Sequence, residues 1–182
     1  AGAVVLSVGG LFTWRELLTD DPVEAESSDG ATTSLGLTDN NTVAIGQPAP
    51  NFILPTLTGD PIDTADYRGK TLVLNFWASW CPPCRAEMPE LEAFFETHRD
   101  ENFTLIGISA GDTASQVEEF IAQNGITFPM WLDADGAALR AFKNNSLPSS
   151  YVIDSTGTVR LAWTGAISLE MLEKHVTPLL SE

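Results

Sequence analysis

The chain has 182 residues, 43% hydrophobic and 19% charged, which is enough apolar material for one sizeable core and too much for wholesale disorder. Acids outnumber bases 25 to 9, and the formal charge of -16 repels nucleic-acid phosphates and anionic lipid headgroups alike. Two cysteines exclude a small scaffold stapled by several disulfides.

Residues 1–18 read as the remnant of a membrane anchor or signal segment. Ala1 to Phe12 carries no charge and is mostly small and apolar. As a helix such a stretch rises about 18 Å, short of the roughly 30 Å hydrocarbon core, so it would be the outer end of an anchor or what is left of an export signal. Trp14 and Arg15, just past the apolar run, suit a headgroup boundary. A short helix packed on the domain is the alternative. Residues 19–42 are rich in Asp, Glu, Ser, Thr and Gly without hydrophobic period, and read as an acidic flexible linker. The folded domain is expected over residues 43–182.

Within it, Phe52-Ile53-Leu54 and Pro61-Ile62-Asp63 flank Thr58-Gly59-Asp60, the pattern of a small hairpin. Thr71 to Trp77 (TLVLNFW) is a nearly continuous apolar run, as expected of a central strand covered on both faces. Cys84, Met88, Leu91, Phe95 and His98 then recur at helical spacing, with Pro89 inside the helix to kink it. Phe103 to Ile108 predicts a second buried strand, and Val117, Phe120 and Ile121 a helix closed by Gly125. A short helix is expected near residues 134–143. Ser149 to Ile153 and Thr158 to Trp163 are two strands joined by the turn Asp154-Ser155-Thr156-Gly157. Leu169, Leu172, Val176 and Leu179 mark a last helix with Ser168 as N-cap. Strands alternating with helices and ending in a hairpin plus helix imply an α/β fold, a mixed central sheet with helices on both faces.

The chemistry concentrates in Trp80-Cys81-Pro82-Pro83-Cys84, at the junction of the first central strand and the helix. A sulfur at a helix N-terminus meets unpaired N–H groups and the positive end of the macrodipole, which favour its thiolate. The thiolate is the species that attacks a disulfide, so Cys81 is the nucleophile. Cys84, one turn on, can attack the resulting mixed disulfide. Pro82 and Pro83 lose no hydrogen bond in a first helical turn and stiffen the loop. Other uses of the pair are thinner. A zinc site needs about four ligands and would have to draw on His98 and His175, copper delivery would need a His besides, haem attachment needs a His where Arg85 stands, and a purely structural disulfide would close too short a loop to stabilise much. No metal is expected, and no cofactor beyond a redox-active Cys81–Cys84 disulfide.

The run Asn75-Phe76-Trp77-Ala78-Ser79-Trp80-Cys81-Pro82-Pro83-Cys84-Arg85-Ala86-Glu87-Met88-Pro89 resembles the active-site segment of thioredoxin-fold proteins of the TlpA/ResA-like (AhpC/TSA-redoxin) group. Ile45-Gly46-Gln47-Pro48-Ala49-Pro50-Asn51-Phe52 and Leu147-Pro148-Ser149-Ser150-Tyr151-Val152-Ile153-Asp154 extend the resemblance over about residues 43–180. It implies a thioredoxin-like fold with an N-terminal β-hairpin extension, and a membrane-tethered or exported thiol–disulfide oxidoreductase of the kind that serves cytochrome c maturation or oxidase assembly. Cys81 matches the attacking and Cys84 the resolving cysteine. Pro148 matches the cis-proline that faces the dithiol, so that Trp80, Pro82, Pro83, Leu147 and Pro148 would receive substrate. Glu87 matches an acid that lines the active-site cavity and tunes the thiols or relays protons, though it also reads as a solvated acid beside Glu90. Asn75 stands where thioredoxin has a buried Asp, so a base for Cys84 would have to be Glu87 or water. The implied partners are a disulfide-bearing protein substrate and an upstream membrane thiol donor, with the domain on the outer face of the cytoplasmic membrane or in the periplasm and held to the membrane by the N-terminal segment.

Two other classes compete. A peroxiredoxin-like peroxidase usually carries Pro-x-x-x-Thr/Ser-x-x-Cys, but Leu74 and Ala78 occupy those places. A non-enzymatic thioredoxin-fold subunit of a membrane complex would keep the cysteines without using them.

Overall fold

A computed structural model describes Val43 and residues 45–180; the expectations of an anchor remnant and an acidic linker fall outside these residues. The hairpin comes first, β1 (Ile53–Pro55) against β2 (Pro61–Asp63), followed by a 3-10 turn at Thr64–Tyr67. Then come β3 (Thr71–Trp77), α1 (Pro82–His98), β4 (Phe103–Ala110), α2 (Ala114–Asn124), β5 (Met130–Asp133), α3 (Ala137–Ala141), β6 (Ser149–Ile153), β7 (Val159–Thr164) and α4 (Leu169–His175). The five-stranded sheet has the order β5-β4-β3-β6-β7. β3, β4 and β5 run parallel, and β6 and β7 are antiparallel to their neighbours.

All seven residues of β3 are buried, as a central strand requires. Its side chains alternate between two clusters. Val73 and Trp77 pack with Met88, Leu91 and Phe94 of α1, Val117 and Phe120 of α2, and Leu172 of α4. Leu72, Leu74 and Phe76 pack on the other face with Ala138 of α3 and Leu54 of the hairpin. Each large apolar side chain removed from water contributes roughly 1.5–3 kcal/mol, so the two faces together fix the register of β3. A slip of one residue would turn Asn75 and both clusters inside out.

Sequence signals hold at the helix ends. Ser168 Oγ accepts from Met171 N–H, and Gly125 closes α2 in the left-handed conformation at φ 65°. One strand carries no sequence signal and two expectations need correction. β5, Met130-Trp131-Leu132-Asp133, is too short to show a period of two, and it is ordered by parallel pairing with β4. Beside it, Gly107 leaves room for the Met130 side chain, whose sulfur would have to move away from a Cβ. The buried α1 face runs through Phe94, with Phe95 only half-buried. The last helix stops at His175 and tightens to a 3-10 turn over Thr177–Leu179, where Pro178 has no N–H for a regular helical bond. Among the described residues, no helix is long and apolar enough to cross a membrane.

Candidate active site

β3 ends in a turn, Ala78 to Cys81, closed by the Cys81 N–H donating to the Ala78 carbonyl at 3.1 Å. Cys81 is the N-cap of α1: its backbone is extended (φ -93°, ψ 108°), and its sulfur accepts from the Cys84 N–H at 3.3 Å. Pro82 and Pro83 fill the first helical positions, where a missing N–H costs nothing. The two sulfurs are joined in a disulfide, with Cα atoms 5.3 Å apart. Cys84 is 0% exposed and Cys81 5%, so of the two only Cys81 keeps any surface. In the reduced state the same helix N–H groups stabilise a Cys81 thiolate. Trp80 stands 65% exposed beside it, with exposed Pro82 and Pro83, whereas Trp77 is core.

The sheet brings a further proline to this place. β3 and β6 are antiparallel with Phe76 opposite Ser149, so one step further Trp77 and Pro148 leave the ladder side by side, at the end of β3 that carries the cysteines. The Leu147–Pro148 peptide is cis. The Pro148 carbonyl accepts from the Gly165 N–H at 2.8 Å and is not open to a partner. The backbone N–H and C=O of Leu147 find no hydrogen-bond partner among the described residues. Its half-buried side chain packs against the cluster that holds both cysteines.

Glu87 lies three residues past Cys84 on the inner face of α1 and is 1% exposed, which is incompatible with a solvated helix acid. Its Oε1 accepts from Asn75 Nδ2 at 2.8 Å and its Oε2 from the Ile167 N–H at 3.0 Å. The Asn75 amide also donates to Ser150 Oγ at 2.9 Å, while its own Oδ1 is buried without a partner. Burial pushes the Glu87 carboxyl up to about 7, against the pull of the Asn75 and Ile167 hydrogen bonds. Asn75 therefore serves either protonation state: its NH2 donates to a carboxylate, and a turned amide would offer the unused oxygen to a carboxylic acid.

Sequence reasoning missed Ser150, which accepts from the Asn75 amide, and the backbone of Ile167, which donates to Glu87; both join the site only through tertiary contact. The Asn75↔Ser150 register pair would have pointed to the first had the strand pairing been known. It also missed Asp112, which holds Ser79 in the turn before Cys81. His98 is buried between Glu101 and Glu173 at the far end of α1 and takes no part in the site. Among the described residues, no group of three or more His, Cys, Asp and Glu could hold a metal ion.

Residues 45–162 match the AhpC/TSA family. A thiol-disulfide oxidoreductase ResA of Geobacillus kaustophilus is 34% identical over 139 residues, covering 76% of this chain and 80% of the relative. Among solved structures, a thiol:disulfide interchange protein of the thioredoxin family from Chlorobium tepidum superposes with a TM-score of 0.67 at 32% identity, over 76% of this chain and 99% of that one. A secreted disulfide oxidoreductase of Mycobacterium tuberculosis superposes with a TM-score of 0.65 at 29% identity, over 70% and 96%. With a Cys-x-x-Cys disulfide at the head of α1 in a thioredoxin-like sheet, the chain belongs to the AhpC/TSA family, as a thiol–disulfide oxidoreductase of ResA and DsbE type.

Proposed function

We propose that the protein is a reductant of disulfides in specific extracytoplasmic partner proteins, such as apocytochrome c or oxidase assembly factors. The observation that carries this reading is the pairing of a Cys81–Cys84 disulfide at a helix N-terminus with a fully buried acid one turn on. In the reduced protein, the Cys81 thiolate attacks one sulfur of the partner disulfide. A Cys81–partner bond forms, and the other partner sulfur leaves as a thiolate that takes up a proton. Cys84 then loses its proton and attacks Cys81 Sγ; the Cys81–Cys84 bond forms and the second partner sulfur leaves. Two electrons pass to the partner; the proton given up by Cys84 and one from solvent protonate its two thiolates. An upstream membrane thiol donor restores the dithiol.

Cys84 is fully buried in an apolar cluster, so its proton needs an internal acceptor before the sulfur can attack. A carboxyl near 7 on the same helix face is matched to accept its proton at neutral pH, and this is the role we give Glu87. Trp80, Pro82 and Pro83 form one apolar lip of the substrate groove. Leu147 forms the other, over the buried Pro148, with the free N–H and C=O of Leu147 available to pair with an extended segment of the partner. No cofactor is required beyond the disulfide itself. The secreted relative and the uncharged N-terminal run support an address outside the cytoplasm, on the outer face of the membrane or in the periplasm.

The reading is tested by mixing the pre-reduced protein with an oxidised peptide carrying the Cys-x-x-Cys-His sequence of an apocytochrome c. One peptide disulfide is reduced per Cys81–Cys84 disulfide formed. Inertness toward the peptide together with turnover of hydrogen peroxide would favour a peroxidase. Inertness toward both would favour a non-enzymatic subunit.

A further inference from the structure

Ser79 occupies the second position of the turn that delivers Cys81, and each of its polar groups is engaged. Its N–H donates to Asp112 Oδ2 at 2.8 Å and its hydroxyl to Asp112 Oδ1 at 2.8 Å. Its carbonyl accepts from Arg85 Nη1 at 3.2 Å. The Asp112 carboxylate is 3% exposed, and its Oδ2 accepts a third bond, from Ser109 Oγ at 2.7 Å. The sheet makes this reach possible. Trp77 and Ser109 are register partners at the parallel ends of β3 and β4, and Gly111, at φ 82°, turns the chain so that Asp112 points back across the strand ends.

A buried carboxylate is costly unless its oxygens are bonded. No ion pair to Asp112 is present among the described residues. Its acceptors are instead spent on neutral donors, two of them on the single residue that sets the direction of the turn. Ser79 is followed by Trp80 and Cys81, so whatever fixes Ser79 fixes where the exposed indole and the attacking sulfur emerge. Thiol–disulfide exchange places the incoming sulfur, the central sulfur and the leaving sulfur in line, and misplacement of about 1 Å at such a centre can slow a reaction on the order of 100-fold.

We propose that Asp112 is a positioning residue for disulfide exchange: by clamping the Ser79 N–H and hydroxyl from the end of β4, it fixes the turn that presents Cys81 and Trp80 to substrate. Its part is geometric, so an amide can replace it. In Asp112→Asn the amide oxygen accepts from the Ser79 N–H and the Ser109 hydroxyl, and the NH2 donates to Ser79 Oγ, whose hydroxyl turns to accept.

The test measures the second-order rate constant of the pre-reduced full chain with 5,5′-dithiobis(2-nitrobenzoate) and with oxidised glutathione, alongside the thermal unfolding midpoint of each variant. The proposal rests on the exchange activity, and the wild-type rate checks that activity by itself, since variants are scored only against it. Asp112→Ala is expected to slow exchange at least about ten-fold, with Asp112→Asn within about two-fold of wild type. Ser79→Ala, which deletes one of the clamp bonds, slows exchange about three-fold or more, and Ser79→Thr, which keeps the hydroxyl, restores it. Ser109→Ala weakens the carboxylate on its strand side without touching the turn. It lowers the unfolding midpoint about as much as Ser79→Ala but leaves the rate within about two-fold. Should Asp112→Ala fail to fold, the Ser79→Ala and Ser79→Thr pair decides. Wild-type exchange in Ser79→Ala, or equal slowing by Ser109→Ala, would overturn the proposal.

Discussion

Replacing Glu87 by Gln removes one titration from the protein interior and leaves most of its shape in place. Burial raises this carboxyl from its ordinary value near 4.5 to about 7. At 1.36 kcal/mol per pH unit, that difference corresponds to about 3 kcal/mol. The sign follows from which state holds the proton. Below about 4.5 the residue is protonated folded and unfolded alike, and its contribution is at its best. Between about 4.5 and 7 the unfolded chain releases the proton while the native protein keeps it, so stability falls as pH rises, and above about 7 the loss is complete. Glu87→Gln has no such loss. Urea unfolding of the oxidised protein between pH 4 and 8 should therefore show wild type losing about 3 kcal/mol relative to Glu87→Gln across that range, the other titrations cancelling in the difference. The exchange rate of the reduced wild type should also carry an inflection near pH 7 that the variant lacks. Parallel stability profiles, or an unchanged rate profile, would show that Glu87 titrates as an ordinary surface acid and does not serve Cys84.

Asn75→Asp puts a carboxylate oxygen where an NH2 now donates to Glu87 at 2.8 Å; two such groups cannot both ionise. The variant should be close to wild type in urea at pH 5 but at least about 2 kcal/mol less stable at pH 8, and equal stability at pH 8 would remove the bond from the account. The buried ring of His98 faces the Glu101 and Glu173 carboxylates; burial opposes its charged form, but the carboxylate hydrogen bonds outweigh it and raise the pKa. The charged ring contributes stability in full below its ordinary 6.5, and the contribution is lost as pH rises through the raised value, so His98→Leu should destabilise more at pH 5.5 than at pH 9 in the same unfolding assay, with exchange per folded molecule unchanged. Limiting iodoacetamide on the reduced protein should alkylate Cys81 before Cys84, as read by peptide mass spectrometry; preferential labelling of Cys84 would reverse the assignment of the two thiols.

Much of the site was legible because its features are local. The run from Thr71 to Trp77 announces a strand buried on both faces, and a cysteine followed by two prolines announces a helix start; the structure has β3 and α1 at those places. The cis bond before Pro148 came only from resemblance, since nothing in the residues themselves distinguishes it from a trans one. What stayed hidden depends on partners distant in the chain. Phe94 and Phe95 both follow Leu91 at helical spacing, and both rings meet Phe103 of β4, at 5.6 and 6.3 Å. Phe94 takes the buried position, and its ring also meets that of His98 in a tilted contact at 4.5 Å. Glu87 and Glu90 look alike in sequence. They part because the Ile167 N–H and the Asn75 amide close over the first, while the second accepts from the Leu169 N–H and stays half-exposed. β5 and Asp112 exist as features only through β4, the one by pairing and the other by reaching over its end.

That Cys81 attacks and Cys84 resolves is tested by trapping. Reduced Cys84→Ser and Cys81→Ser proteins are each mixed with the oxidised apocytochrome peptide, quenched with acid and run without reductant. Cys84→Ser should accumulate a covalent one-to-one complex through Cys81 that dithiothreitol dissolves, and Cys81→Ser should accumulate none. A complex that builds up on Cys84 in Cys81→Ser, with none on Cys81 in the other variant, would reverse the roles of the two thiols.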